Sequence, residues 1–599
     1  MKNRRRGAQR RPHLGTGTFN HARARDAGLA TFFPASRAFP HVSSPFELVS
    51  SSLGRLDQWE TLVILAKIAW QLATSWEADL YATQRKLAPG VLSEETIDRL
   101  NAFMAESGPA RVAVFFPQQI LEAMRWTIVL GKRQPQRETP PLTDRKRDTS
   151  ALLLGASEIW GDRQEALFHK ARALARTPDQ LRAYVTLFTR TVMSAIQPSR
   201  DPALPLARAS HLFGDLMERH QPSFPQVFKS ETGLSFGEYN IGQNMIWAQI
   251  LQRTDRNPLL SFESNDHSRN IELGKHVLRL QSQSLDDARA ALSAHSTDPA
   301  RDWSLDPLRK QPVVRNPNRG DSFLVLDPKL FSDSITNGPL FIPTDSRQRQ
   351  ETLSAFGAAF EDYTSEIMRG ICPERSLGMR CRTNVPVEVS GAQVGQVDAY
   401  IDYNVAVVLI ETKASFIAER SAVRGDPVGF LSDLEDKYVK SPEDHPKGVS
   451  QLSSTIRRLA EREWLGVGEE LGRVQTVFPA LVVNDERLED PLAARYLAKR
   501  LQEQLGSPRQ EVVGVTRVGA LAVAALTILP VDLLEILEMS TTRFSLQDLL
   551  RDFTDRHPDR LVSLNNFIAG SRYGSLMLSN PRLARLLNKR VERFTTSGT

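Results

Sequence analysis

The sequence predicts an α/β C-terminal domain, a mixed sheet flanked by helices, behind a mainly α-helical N-terminal region. Three observations predict it. Apolar residues recur at helical spacing through the first half of the chain. Short apolar runs of strand length, separated by Asn, Gly, Pro and Asp, begin near Gln311. Beyond them, helices and strands alternate.

The elements follow in order. Residues 1–50 are rich in Arg, Ser, Pro and Gly without a sustained period, and read as a basic, poorly ordered arm. Residues 51–132 read as a helical domain, in which Trp59, Leu62, Val63, Leu65, Ala66 and Ile68 mark one apolar face. The stretch 133–148, RQPQRETPPLTDRKRD, is polar and proline-rich and is expected to be a linker. A second helical domain fills 149–310. The α/β domain is assigned to 311–599, with a helical extension at its C-terminal end. Within it, 323–326 and 340–343 read as short strands. A helix is predicted over 347–369 from Phe356, Phe360, Tyr363 and Ile367. Two strands, 396–402 and 405–414, meet at a tight turn at Tyr403 and Asn404. A helix over 448–463 and a strand over 475–483 follow.

Composition bounds the functional classes. The chain has 599 residues, 41% hydrophobic and 24% charged, which permits a large core without staples. Its two cysteines, Cys372 and Cys381, are too few for a disulfide framework, so a reducing, cytoplasmic location is expected. The apolar stretches 61–76 and 110–131 are interrupted by charged and polar residues, so no membrane span is expected. The net charge of +6 is compatible with a polyanionic partner, and Lys2, Arg4, Arg5, Arg6, Arg10 and Arg11 would suit phosphates or simply solvent.

The chemistry is concentrated in QVDAYIDYNVAVVLIETKAS, residues 396–415. With a turn near Asn404, hairpin register sets Asp398 opposite Glu411 to within one residue. Side chains alternate along a strand, so Glu411 and Lys413 share a face. Two carboxylates facing one another are destabilising unless a cation neutralises them. Mg²⁺, which takes one or two carboxylates together with water and substrate phosphate, suits such a patch, with Mn²⁺ as a substitute. Lys413 could then orient or deprotonate a water for phosphodiester hydrolysis. The ordinary alternative is a solvated strand end. Against it, VAVVLI reads as a strand buried on both faces, where unpaired charge is costly.

An Asp, a hairpin and then Glu-x-Lys at the end of an apolar strand resemble the PD-(D/E)xK nuclease superfamily, over residues of about 345–490. The resemblance implies a restriction-endonuclease-like core, a four-stranded mixed sheet flanked by helices, with Mg²⁺ on Asp398 and Glu411. It also implies an additional acid on the preceding helix, for which Glu361 is the match and Glu366 a substitute. Gln451 matches a Gln that the RecB-like branch carries on the following helix, but Thr455 stands where that branch has Tyr. Val397 replaces the proline of the superfamily's name. Gln451, Thr455 and Arg458 fall on one helical face, while Arg457 and Arg462 could meet phosphate nearby.

An acid-x-Lys triplet alone is weak evidence, because Asp144–Lys146, Asp327–Lys329 and Glu435–Lys437 repeat it. Only Glu411–Lys413 combines an apolar strand with an acid on the strand before it. The sequence has no GxxxxGK[ST] loop, HExxH or GxSxG elbow. The expectation is therefore a metal-dependent nuclease acting on nucleic acid, DNA foremost, in bacterial restriction or anti-phage defence. Its helical half would bind an activating ligand or protein, and double-strand cutting would favour a homodimer. The alternatives are a catalytically inactive nuclease-fold protein that binds nucleic acid, and a helical scaffold.

Overall fold

The computed structural model describes residues 31–42, 44–73, 80–107, 112–132, 141–178, 180–181, 203–262, 268–294, 305–343, 345–372, 380–389, 392–417, 427–440, 443, 445–462, 471–506, 514–538, 545–560, 562–569, 571–573, 582–583 and 585–586. Among them no helix is long and apolar enough to cross a membrane.

The N-terminal half is built on helices α1 (Pro45–Leu53), α2 (Gln58–Ala73), α3 (Pro117–Leu130) and α4 (Leu142–Leu174). Their apolar faces form one core that also takes in Leu285, Leu308, Leu324 and Leu330. Helix α5 (Ala203–His211) runs on through a π-helical turn (Leu212–Leu216) into Met217–His220. Helix α6 (Phe236–Gln252) starts from Ser235, whose hydroxyl accepts from the Glu238 amide while Glu238 reaches back to the Ser235 amide.

A four-stranded sheet follows: β1 (Leu259–Ser261), β2 (Ser282–Gln283), β3 (Val313–Arg315) and β4 (Ser322–Val325), in the order β1-β4-β3-β2. Its strands β3 and β4, which follow the boundary expected at residue 311, pair with β2 and β1, which precede it. The expected linker is corrected. Residues 133–140 lie outside the described residues, but α4 begins at Leu142. Asp148, buried, receives Arg55 Nη2 at 2.6 Å, and that tertiary ion pair anchors a polar helix start that has no apolar period. The expected arm lies outside the described residues over 1–30, yet from residue 31 on the chain joins the helical core through Phe33 and Val49.

Helix α7 (Pro328–Thr336) leads through a 3-10 turn (Gly338–Phe341), where a strand was expected, to α8 (Ser346–Ile371). The Asp345 side chain caps α8 by accepting from the Gln348 amide, and Phe356, Phe360, Tyr363 and Ile367 bury its apolar face. Strands β5 (Arg380–Val389), β6 (Ala392–Asp402) and β7 (Ala406–Lys413) come next, then α9 (Gly448–Ala460) and β8 (Thr476–Val483). Helix α10 (Pro491–Gln504), β9 (Thr516–Val518), β10 (Leu521–Val523), β11 (Thr527–Pro530), α11 (Val531–Glu538) and α12 (Leu546–Arg556) complete the domain.

The large sheet runs β9-β10-β8-β7-β6-β5, with β11 also paired to β8. Strand β6 is antiparallel to both β5 and β7, and β7 and β8 are parallel. The sheet is thus mixed, as expected. Pro479, which has no N–H to give, falls where the outer neighbour of β8 changes from β10 to β11. One sheet face packs on α8, α11 and α12 and shares a core with α5 and α6; the other packs on α9 and α10. Strand β5 was not among the expected elements; it carries Pro386 and, at φ 54°, Asn384. An edge strand with one neighbour tolerates both.

A buried ion pair joins the two halves. Arg208 on α5 grips Glu535 on α11 bidentately, with Nε–Oε1 2.6 Å and Nη2–Oε2 3.0 Å, and also contacts Asp532. Tyr363 on α8 donates to the same Glu535 at 2.6 Å. Removing one member strands the buried charge of the others. Arg208→Ala should lower stability by about 3–5 kcal/mol, read from urea unfolding followed by fluorescence. A loss under about 1 kcal/mol would show that the pair does not join the halves.

Candidate functional site

The site lies where β6 and β7 part. The tight turn is fixed by Asn404 at φ 73°, whose amide donates to Asp402 Oδ1 at 2.7 Å. Ladder pairing runs from Asp402↔Val407 to Ala399↔Ile410 and then stops. One step further, Asp398 stands opposite Glu411. The Thr412 amide donates instead to Asp398 Oδ2, at 2.7 Å, so the carboxylate takes over from the ladder at this fork.

Glu411 is 1% exposed at the end of a strand buried on both faces. Lys413, two residues on and therefore on the same face, places Nζ 3.4 Å from Glu411 Oε2. The other oxygen, Oε1, is buried and has no hydrogen-bond partner among the described residues. Burial, and then the Asp398 carboxylate, push Glu411 well above the usual carboxylate range, while Lys413 opposes them. A carboxylate in this position calls for more positive charge than one lysine supplies.

Helix α8 approaches from the opposite face, with Thr364 Oγ1 3.3 Å from Thr412 Oγ1. One turn earlier, Glu361 enters the field of Asp398 and Lys413. Burial, and then Asp398, push it up to about 7 from an ordinary 4.5. Glu366 lies elsewhere, bound by His211 at 2.7 Å, so of the two candidate helix acids Glu361 is the one beside the fork. From the other side, the first turn of α9 lies against Lys413: a Cβ on Gly448 would come within 2.8 Å of Leu481 and 3.5 Å of Lys413 Cγ. A turn on, Gln451 is half-buried, and its buried Oε1 also lacks a partner among the described residues. Thr455 is buried beyond it, Arg458 is half-buried and Arg462 is exposed. Arg457 is exposed and donates to the Gln504 carbonyl on α10.

Sequence reasoning did not foresee what holds the segment after Lys413. Tyr438 donates to the Ser415 carbonyl at 2.6 Å, Lys437 Nζ to the Phe416 carbonyl at 2.5 Å, and the Ile417 amide to Asp485 at 2.7 Å. Their separation along the chain left no local signal.

The three rival triplets have other roles. Asp327 caps α7, accepting from the Lys329 and Leu330 amides at 2.9 Å each. Asp144 and Lys146 lie on α4, where Lys146 donates to the Pro89 carbonyl. Glu435 pairs with Arg500 at 2.7 Å.

Among the described residues no group of three or more His, Cys, Asp or Glu is placed so that it could hold a metal ion. What the fork offers is sparser: the two carboxylates of Asp398 and Glu411, one of whose oxygens, Glu411 Oε1, is buried without a partner among the described residues. A hard cation there would have to take most of its shell from water. No family model, curated protein or solved structure matches this chain.

The crowding of carboxylates has a pH signature. The folded protein holds the Glu361 proton more tightly than the unfolded chain does, so ionising it costs stability. The cost is absent below the ordinary 4.5, grows as pH rises and is complete above about 7. In EDTA, Glu361→Gln should therefore melt above the parent at about pH 8 and together with it at about pH 4. Equal melting temperatures at both pH values would show that Glu361 is not crowded.

Proposed function

We propose that the chain is a Mg²⁺-dependent nuclease of the PD-(D/E)xK, restriction-endonuclease-like class, hydrolysing phosphodiester bonds, in DNA foremost. The observation that carries the reading is Glu411, a carboxylate buried at the end of β7 with one oxygen unpartnered, between Asp398 and Lys413. The succession α8-β5-β6-β7-α9-β8 supports it, because it brings acids from a helix and two strands to one fork.

Asp398 and Glu411 would hold the cation, Mg²⁺ or Mn²⁺, and Glu361 would extend their reach from α8. Bound there, the ion supplies charge neutralisation, polarisation of the phosphoryl oxygen and a lowered pKa for the attacking water. Lys413 holds its ammonium at the mouth of the pair, where it stabilises phosphate charge and orients the water. Gln451, whose side-chain oxygen lacks a partner among the described residues, would accept a hydrogen bond from that water and help orient it. The Gly448 backbone excludes bulk beside Lys413 and limits the freedom of its stem. A homodimer would bring a second fork to the opposite strand of a duplex, and the helical half would receive the activating ligand or protein.

The test uses plasmid DNA, linear duplex, single strands and RNA, each with Mg²⁺, Mn²⁺ or EDTA. Cleavage should require the metal and fall by roughly 10²–10³-fold in Asp398→Ala and in Lys413→Ala. Cleavage that survives both substitutions would remove this site from the reaction, and binding without cleavage would favour an inactive nuclease fold.

A further inference from the structure

Helix α8 carries acids on two sides. Glu361 lies in the field of Asp398, which together with burial disfavours its ionised form. On its other side stand Asp362 and Glu366, and each is met by a histidine from the segment 203–220. His220 Nε2 lies 2.9 Å from Asp362 Oδ2, and His211 Nε2 lies 2.7 Å from Glu366 Oε2. Between them Tyr363 is tied through Glu535 to Arg208 of the same segment. Phe213, in the π-helical turn, stacks on Phe356 of α8 at 5.7 Å. The helical half thus grips α8 on both sides of the turn that carries Glu361.

His211 is the most enclosed of these cations that can change its charge. Its side chain is 11% exposed, and both ring nitrogens face carboxylates, Nδ1 toward Asp215 at 2.9 Å and Nε2 toward Glu366. Only the imidazolium can donate from both nitrogens at once. The Tyr363 ring lies 6.0 Å away, Arg582 is 3.9 Å from Glu366, and Arg219 also acts on Glu366. Burial works against the charge on His211, but the hydrogen bonds to Asp215 and Glu366 outweigh it and hold the ring above its ordinary 6.5.

We infer that His211 is a positioning residue for the candidate site: its imidazolium, bridging Asp215 and Glu366, holds α8 where Glu361 reaches Asp398, so that the helical half sets the competence of the fork. This rests on the nuclease reading for its consequence in activity, though not for the contact itself. Substitution of His211 by a neutral residue removes the bridge and leaves the Glu366 side of α8 without its imidazolium. The helix then loosens around Glu361 without loss of Asp398, Glu411 or Lys413.

The test compares the full-length parent with His211→Gln and with Asp215→Asn, the latter at an exposed position. Two readouts are taken between about pH 6 and pH 9: hydrogen exchange in the α8 amides, and Mg²⁺-dependent plasmid cleavage. At pH 6, His211→Gln should exchange faster in α8 and cleave on the order of ten-fold more slowly, with Asp215→Asn between it and the parent. Both gaps should close toward pH 9, where the parent imidazole has lost its proton too. Unchanged α8 exchange in both variants overturns the proposal whether or not DNA is cleaved. Faster exchange with unchanged cleavage overturns the positioning role. Faster exchange with no cleavage even by the parent supports the clamp and refutes the nuclease reading instead.

Discussion

The structure around the fork depends on one constraint: a carboxylate, Glu411, must be kept at the end of a strand that is buried on both faces. Leu409 and Ile410 just before it are almost wholly excluded from solvent, so the strand carries the acid into the protein rather than out to water. Lys413 offsets part of the resulting cost, but one oxygen of Glu411 stays without a partner among the described residues. Every element nearby is placed with respect to that charge. Strand β6 leaves the ladder at Asp398, α8 delivers Glu361 from one face, and α9 presents Gly448 and Gln451 from the other.

Such a concentration of acid is repulsive in isolation, and it has to be restrained by the surrounding structure. The restraint comes from far away in sequence. Arg208, His211 and His220, all from the helical half, meet Glu535, Glu366 and Asp362 on α11 and α8. The two halves share one hydrophobic core that runs from Phe213 and Trp247 through Phe356 to Ile410. A change in how α5 sits would be felt at α8 without any long relay, because the two are in direct contact.

Legibility in the sequence tracked how local the stabilising interactions are. Strand β7 was readable because its burial is written as an unbroken apolar run, and α8 because its aromatic residues repeat at helical spacing. The turn at Asn404 was readable because few residues tolerate a positive φ. Strand β5 was not, since its Asn384 and Pro386 are permitted by an edge position that only the assembled sheet defines. Nor was the start of α4, which depends on Arg55 reaching Asp148 across the fold.

The sequence by itself determined which residues could carry chemistry: Asp398, Glu411 and Lys413 follow from hairpin register and from two-residue alternation, both local rules. The tertiary structure decided which of the more distant residues join them. Glu361 and Glu366 are five residues apart, about 140° around a helix, so they face different neighbours. Periodicity could not rank them, because either side of α8 could have faced the sheet. Packing separates them: Glu366 meets His211, while Glu361 lies in the field of Asp398.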